Sequence, residues 1–368
     1  MPHSLRILHT ESSRGWGGQE IRILTEAAGM IQRGHQLHLL CPRESPIYDA
    51  AQEYRLPVTA QPLTKKRVPG LLAIRGWLCD NPVDVIITHS STDSWLTALA
   101  CKTLSKPPAM IRLRHISSPV ANNPPTRWLY SRASDHIVTT GQCIRNQLIQ
   151  DNGIEDERII SIPTGIDLER FKPGDKAAAR GRLGLPESDL IVGIVATLRS
   201  WKGHNYLVEA FSRLNRSDVQ LVIVGDGPQR RMLEAMVQTH GIDSQTTFAG
   251  NQADPVPWFQ ALDVFALPSY ANEGVPQALM QAMACGLPVV GGAVGGLPEI
   301  IAEGQSGLLV PPRDASALAA ALKRLLSDRR LRERLGSGAC VEAQRRFGLD
   351  TMLDGMESVL ARVLNRAG

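Results

Sequence analysis

Short apolar runs alternate with amphipathic stretches along almost the whole chain, and the alternation starts afresh once, after Phe171-Lys-Pro-Gly174. A parallel sheet covered by helices gives this pattern, because every crossover needs a helix and every strand buried on both faces reads as a continuous apolar run. Before the break the runs are Leu5 to Thr10, Gln36 to Cys41, Val58 to Leu63, Val83 to Ser90, Ala109 to His115, His136 to Thr140 and Ile159 to Pro163. After it they are Leu190 to Leu198, Val219 to Gly225, Thr246 to Gly250, Asp263 to Pro268, Pro288 to Val294 and Gly307 to Pro311. Helical periodicity fills the gaps. Gly18 to Arg33 sets Ile21, Leu24, Ala28 and Ile31 on one side and stops at a glycine cap, Gly34. Three helices close the chain, over Ala315 to Leu326, Leu331 to Phe347 and Asp350 to Asn365. The expected class is α/β, with two doubly wound domains over residues 1–170 and 171–347 and a final helical segment over 348–368. A chain of 368 residues is long for one core and comfortable for two.

Composition narrows the function. With 43% hydrophobic and 21% charged residues the balance is globular, and a net charge of +4 suggests no nucleic acid. It permits a phosphorylated ligand or an anionic membrane surface. Six cysteines are scattered without a CxxC or Cys/His cluster, which reads as reduced thiols in a cytoplasmic protein and argues against zinc. The first residues lack the long apolar core of a signal peptide, and no run of about 18 apolar residues is unbroken, so neither export nor a membrane span is expected.

Ligands of doubly wound sheets bind outside the carboxyl ends of the strands, and two such domains facing each other across a cleft would place two of these edges together. Four segments fall at those edges. Pro268-Ser-Tyr-Ala-Asn-Glu-Gly-Val-Pro-Gln follows a strand and opens a helix, with Pro276 in the first turn and Gly286-Leu-Pro288 as the stop. Its N–H groups, around Gly274 and Val275, would face an anion. Glu273 precedes the helix, and Gln281 lies eight positions on, about 12 Å at ~1.5 Å per residue, so both would touch one extended ligand. Arg199-Ser-Trp-Lys-Gly-His204 places two cations, Arg199 and Lys202, at another strand end. Gly15-Trp-Gly-Gly-Gln-Glu20 follows the first strand, where Gly17 and Gly18 would let backbone approach a phosphate or sugar, and where Gln19 and Glu20 would cap the helix. His115 ends a strand that also carries Arg112 and Arg114 two positions apart, a pair suited to an anionic acceptor or to carboxylate partners. The basic Lys172 to Arg182 segment reads as a linker and first helix with solvated charges.

The ordered set of motifs resembles the large family-4 retaining glycosyltransferases of the GT-B fold, which are built from two Rossmann-like domains. The resemblance is strong from about Thr164 to Pro312 and weaker before. It implies that Glu273 contacts hydroxyls of the transferred sugar and that Gln281 stands where a glutamate binds the ribose; an amide still donates and accepts hydrogen bonds there, more weakly than a carboxylate. It implies further that Arg199 and Lys202 grip the donor diphosphate and stabilise the leaving group, that Gly225, in Gly225-Asp-Gly-Pro228, borders the base, and that Gly17 and Gly18 close over the donor. His115 falls where the family carries a histidine near the reacting face of the sugar. Glu299 reads as an anchor, and Pro163-Thr-Gly-Ile-Asp167 matches a turn before the hinge, with threonine at an asparagine position. The C-terminal helix of such folds often crosses back onto the first domain.

The implied activity is metal-independent transfer of a sugar, with retention, from a nucleotide diphosphate sugar such as a UDP- or GDP-sugar to an acceptor hydroxyl. No cofactor is implied beyond this co-substrate, and no Asp-x-Asp motif is present. The expected partners are the donor, a glycan or glycolipid acceptor of lipopolysaccharide or other envelope synthesis, and the inner face of the cell membrane as a peripheral surface. A nucleotide-sugar 2-epimerase shares the architecture, and Gln281 leaves open a partner subunit of weak catalysis, so fold alone does not choose among the three.

Overall fold

A computed structural model describes residues 4–271 and 273–367. The chain divides into two compact units, one running to Gly165 and resuming at Leu349, the other spanning Ile166–Gly348. The first unit ends before residue 170 because Ile166 and Phe171 are already buried in the core of the second.

The first unit holds a sheet of β1 (Arg6–Thr10), β2 (Gln36–Cys41), β3 (Val58–Ala60), β4 (Val85–Thr88), β5 (Ala109–Arg114), β6 (His136–Thr139) and β7 (Ile159–Ser161). Their order is β3-β2-β1-β4-β5-β6-β7, and every pairing is parallel. The central strands β1 and β4 are buried along nearly their whole length, with the polar His9, Thr10 and Thr88 enclosed among their apolar residues, whereas edge strand β3 is half exposed. The helix Gly18–Gln32 buries the expected Leu24, but with Ile23, Ala27 and Met30, while Ile21, Ala28 and Ile31 are half-buried. The stripe is rotated because the last helix, Leu349–Ala367, covers a second side of it, bringing Met352, Leu353, Met356 and Leu360 into the same core. Arg33 fastens that helix through Asp350, Asp354 and Glu357 at 2.6–2.9 Å.

The second unit repeats the plan with β8 (Leu190–Val195), β9 (Val219–Val224), β10 (Thr246–Gly250), β11 (Val264–Leu267), β12 (Val289–Gly292) and β13 (Gly307–Val310), in the order β10-β9-β8-β11-β12-β13, again parallel. The charges of the segment before β8 are not all solvated. Arg180 is buried and donates to Asp263 at 2.7 Å, and Lys176 reaches the same carboxylate at 2.5 Å. Asp263 also accepts from Ile191 N, so this ion cluster ties the first helix of the unit to the start of β8. All six cysteines are free.

Candidate active site

In the second unit the chain leaves β8 as an extended segment, makes one tight turn over Ser200–Lys202 and enters the helix His204–Ser212 through Gly203. Gly203 has φ +77°, and a Cβ there would overlap the carbonyl oxygen of Pro268, so only glycine lets this turn lie against the end of β11. A hydrogen bond from Tyr270 N to Trp201 O, 2.9 Å, stitches the two loops together. The consequence is an ion pair: Lys202 Nζ lies 2.7 Å from Glu273 Oε1, an oxygen that also accepts from Ser269 Oγ at 2.6 Å. The Glu273 side chain is only 5% exposed, and a carboxylate so far out of water needs both partners.

The backbone of Glu273 is clamped from behind. Gly296 N donates to its carbonyl at 3.3 Å, and Gly295, at φ +57°, presses against the same oxygen where any Cβ would collide. Gly295 and Gly296 therefore form a tight support for the carboxylate. Gly274 and Val275 follow, both buried, and the helix Gln277–Ala284 begins one residue later than expected, with Pro276 as its extended N-cap. It ends in a left-handed Gly286 with Leu287 N bonded back to Ala282 O. Gln281 sits on this helix, half-buried.

Of the other residues singled out in this unit, Gly225 seals the strand ends, with φ +128° and its N–H bonded to Gly250 O at 2.8 Å. Arg199 is exposed and lies 5.8 Å from the Trp201 ring, so Lys202, Glu273 and Ser269 converge and Arg199 stands apart from them. Two aromatic neighbours had no sequence assignment. Tyr270 meets Tyr206 edge-on at 5.9 Å and carries the Arg313 guanidinium 4.5 Å above its ring. His204, behind Lys202, is buried; burial first and the Lys202 charge second lower it from 6.5 to about 3.

The carboxyl edge of the first unit is more densely bonded than its sequence suggested. Glu11, directly after β1, accepts from Ser12 N and Ser13 N at 2.7 Å, from Ser90 Oγ at 2.5 Å and from Gln19 Nε2. Asp93 accepts from Thr10 Oγ1 and Ser12 Oγ and from the backbone of His89 and Ser90, closing a capping box. Burial and their mutual repulsion push the Glu11 carboxyl well above the usual range, and burial raises Asp93 also. Gln19 thus bonds to Glu11 and Ser90 and does not cap its helix. Gly17 is extended at φ 179°, with room for a Cβ, so the fold itself does not demand glycine there; Gly18 starts the helix.

His115 is half-buried one residue past β5, with Nε2 3.0 Å from His89 Nδ1. Among the described residues neither Arg112 nor Arg114 has an ion pair: Arg112 is buried against Ser90 O, Ser94 Oγ and the Tyr130 ring, and the half-buried Arg114 donates to Ser118 O. Among the described residues no group of three or more His, Cys, Asp or Glu is placed to hold a metal, and no helix is long and apolar enough to cross a membrane.

Residues 175–340 match the family described as Glycosyl transferases group 1, and residues 16–170 match Glycosyltransferase Family 4. A D-inositol 3-phosphate glycosyltransferase of Stackebrandtia nassauensis is 31% identical over 89% of this chain and 83% of its own. Two solved structures share the fold: a glycosyltransferase from Rickettsia africae, with TM-score 0.89 at 19% identity over 98% of this chain and 99% of that one, and Anabaena HepE in complex with UDP, with TM-score 0.85 at 21% identity over 97% and 100%. The family matches and the relative define a sugar-transferring enzyme. The chain belongs to the group 1, family 4 glycosyltransferases of the GT-B fold.

Proposed function

We propose that this enzyme moves a sugar from a nucleotide diphosphate sugar to an acceptor hydroxyl with retention at the anomeric carbon and without a metal ion. The observation that carries the reading is the Lys202–Glu273 pair at 2.7 Å, held where β8 and β11 end. A cation and a carboxylate side by side at a strand edge suit a ligand that is anionic at one end and hydroxyl-rich at the other. Lys202 takes the diphosphate, with Arg199 swinging from Trp201 to join it, while Glu273 accepts from sugar hydroxyls. The N-terminus of the helix Gln277–Ala284, past Gly274 and Val275, adds its partial positive charge, Gln281 meets the ribose, and Gly225 borders the base. The protein's own cations stabilise the departing diphosphate, which is why no divalent ion is required. The UDP in the HepE structure supports a uridine donor.

Retention follows from attack by the acceptor on the face the leaving group vacates, a donor phosphate oxygen taking the proton. Gly17 and Gly18 close over the donor, and His115 faces the transferred sugar. The acceptor is a glycan or glycolipid of envelope synthesis, lipopolysaccharide among them, reached from the cytoplasmic face of the membrane. A phosphorylated inositol is the second reading, favoured by the name of the relative at 31% identity.

The test is turnover by the purified enzyme on UDP-, GDP- and ADP-sugars, with D-inositol 3-phosphate and truncated lipopolysaccharide cores as acceptors and Gln281→Glu alongside. Nucleotide release with a glycosylated acceptor supports transfer. A free epimerised sugar nucleotide establishes the epimerase instead, and a silent wild type with an active Gln281→Glu establishes a subunit that has lost catalysis.

A further inference from the structure

Three histidines from three adjacent strands form one hydrogen-bonded row along the carboxyl edge of the first sheet. His9 lies within β1, His89 follows β4 and His115 follows β5, and β1, β4 and β5 are neighbours. His9 Nδ1 is 2.9 Å from His89 Nε2, and His89 Nδ1 is 3.0 Å from His115 Nε2. The first two rings stack at 5.1 Å and 10°; the second pair is tilted by 31° at 5.3 Å. At its inner end the row stops in a sealed position, where His9 Nε2 has no partner. At its outer end the half-buried His115 leaves Nδ1 without a partner among the described residues.

A neutral imidazole has one N–H and one lone pair. His89 has a ring nitrogen on each side, so it must donate to one and accept from the other, and both links run in the same direction. The cations facing the row, Arg22 from the helix Gly18–Gln32 and Arg112 and Arg114 from β5, join burial in keeping all three rings neutral. The direction is set at the sealed end. If the links ran inward, His9 Nε2 would carry a buried N–H with nothing to receive it. If they run outward, that nitrogen is only a lone pair, and the positive charge of Arg22 acting on the ring favours a lone pair over an N–H.

We infer that His9 and His89 are positioning residues that fix His115 with its proton on Nδ1, so that this enzyme presents a neutral hydrogen-bond donor, not a base, at its first carboxyl edge. The inference rests on the reading of His115 as a sugar-facing residue only for its consequence in turnover; the tautomer itself stands on the row. A donor at that position would hold a hydroxyl oxygen of the substrate and would leave proton removal to the donor phosphate.

The experiment is ring-nitrogen NMR on the full-length enzyme labelled at histidine nitrogens, with His115→Gln and His89→Gln used to assign signals. Wild type is expected to show His115 as the Nδ1–H form. His89→Leu is expected to release His115 to the Nε2–H form and to lower turnover by about tenfold or more with KM for the donor little changed, while His89→Gln, which still accepts and donates, retains most of it. His115 carrying its proton on Nε2 in the wild type, or keeping the Nδ1–H form in a folded His89→Leu, would overturn the inference. A His115→Leu enzyme with undiminished transfer would instead refute the sugar-facing role, a result separable from the tautomer spectrum.

Discussion

Replacing Lys202 with alanine is expected to cut turnover by about 10²–10³, the usual effect of removing one preorganised group that stabilises a leaving charge. The same change strips Glu273, 5% exposed, of its cation, so a lower melting midpoint accompanies the loss. The two effects separate in Lys202→Met combined with Glu273→Gln, which is expected to recover stability by thermal melting and to remain inactive. Acid stability is a second test at this scale. His204 is lowered by burial to about 3, and His9 by burial to about 3, so folding favours their neutral forms. Their contribution is complete above the ordinary value near 6.5 and is lost as pH falls toward 3, by up to about 1.4 kcal/mol per pH unit for each ring. His204→Leu is expected to flatten the acid limb of a urea-midpoint against pH profile. Lys202 and Glu273 were legible in the sequence because each lies in a contiguous motif at a strand end. His9 and His89 were not, because their meaning comes from rings contributed by strands far apart in sequence. Ser269 lay inside a recognised motif, yet only the 2.6 Å bond to Glu273 gives it a part.

At the scale of elements, the turn after β8 depends on one backbone. Gly203→Ala would put a Cβ into the Pro268 carbonyl at φ +77°, at a cost of about 3 kcal/mol, seen as a lower denaturation midpoint and as donor binding weakened by the displaced Lys202. Arg180→Met, which leaves the buried Asp263 with Lys176 as its one cation, is expected to cost about 3–5 kcal/mol without touching the strand edge that carries Lys202. All thirteen strands of the described residues lie within runs legible in the sequence, since strands of parallel sheets are rich in apolar residues. Most runs extend past the paired strand, as with Val83 to Ser90 against Val85–Thr88, because the residue types do not mark where ladder pairing stops. Helix Gly18–Gln32 shows the converse limit. Its length was legible, but the buried stripe depends on a helix more than three hundred residues further along, which local periodicity does not register.

For the whole molecule, two parallel sheets each bring their carboxyl ends to one edge, and the residues argued to act lie on those edges. Lys202, Ser269 and Glu273 lie on one, and His115 on the other. The chain leaves its first unit at Gly165 and returns at Leu349, so the last helix is integral to the unit it left. Removing it after Gly348 would expose the apolar face formed by Ile23, Ala27 and Met30 and is expected to give an insoluble product. The measurement that bears most directly on the central claim is the anomeric configuration of the product, read by proton NMR from a reaction run in excess chelator with the donor that supports turnover. Transfer at an undiminished rate with the anomeric configuration of the donor preserved is the predicted result. An inverted anomer, or a reaction abolished by chelator and restored by a divalent ion, would contradict it.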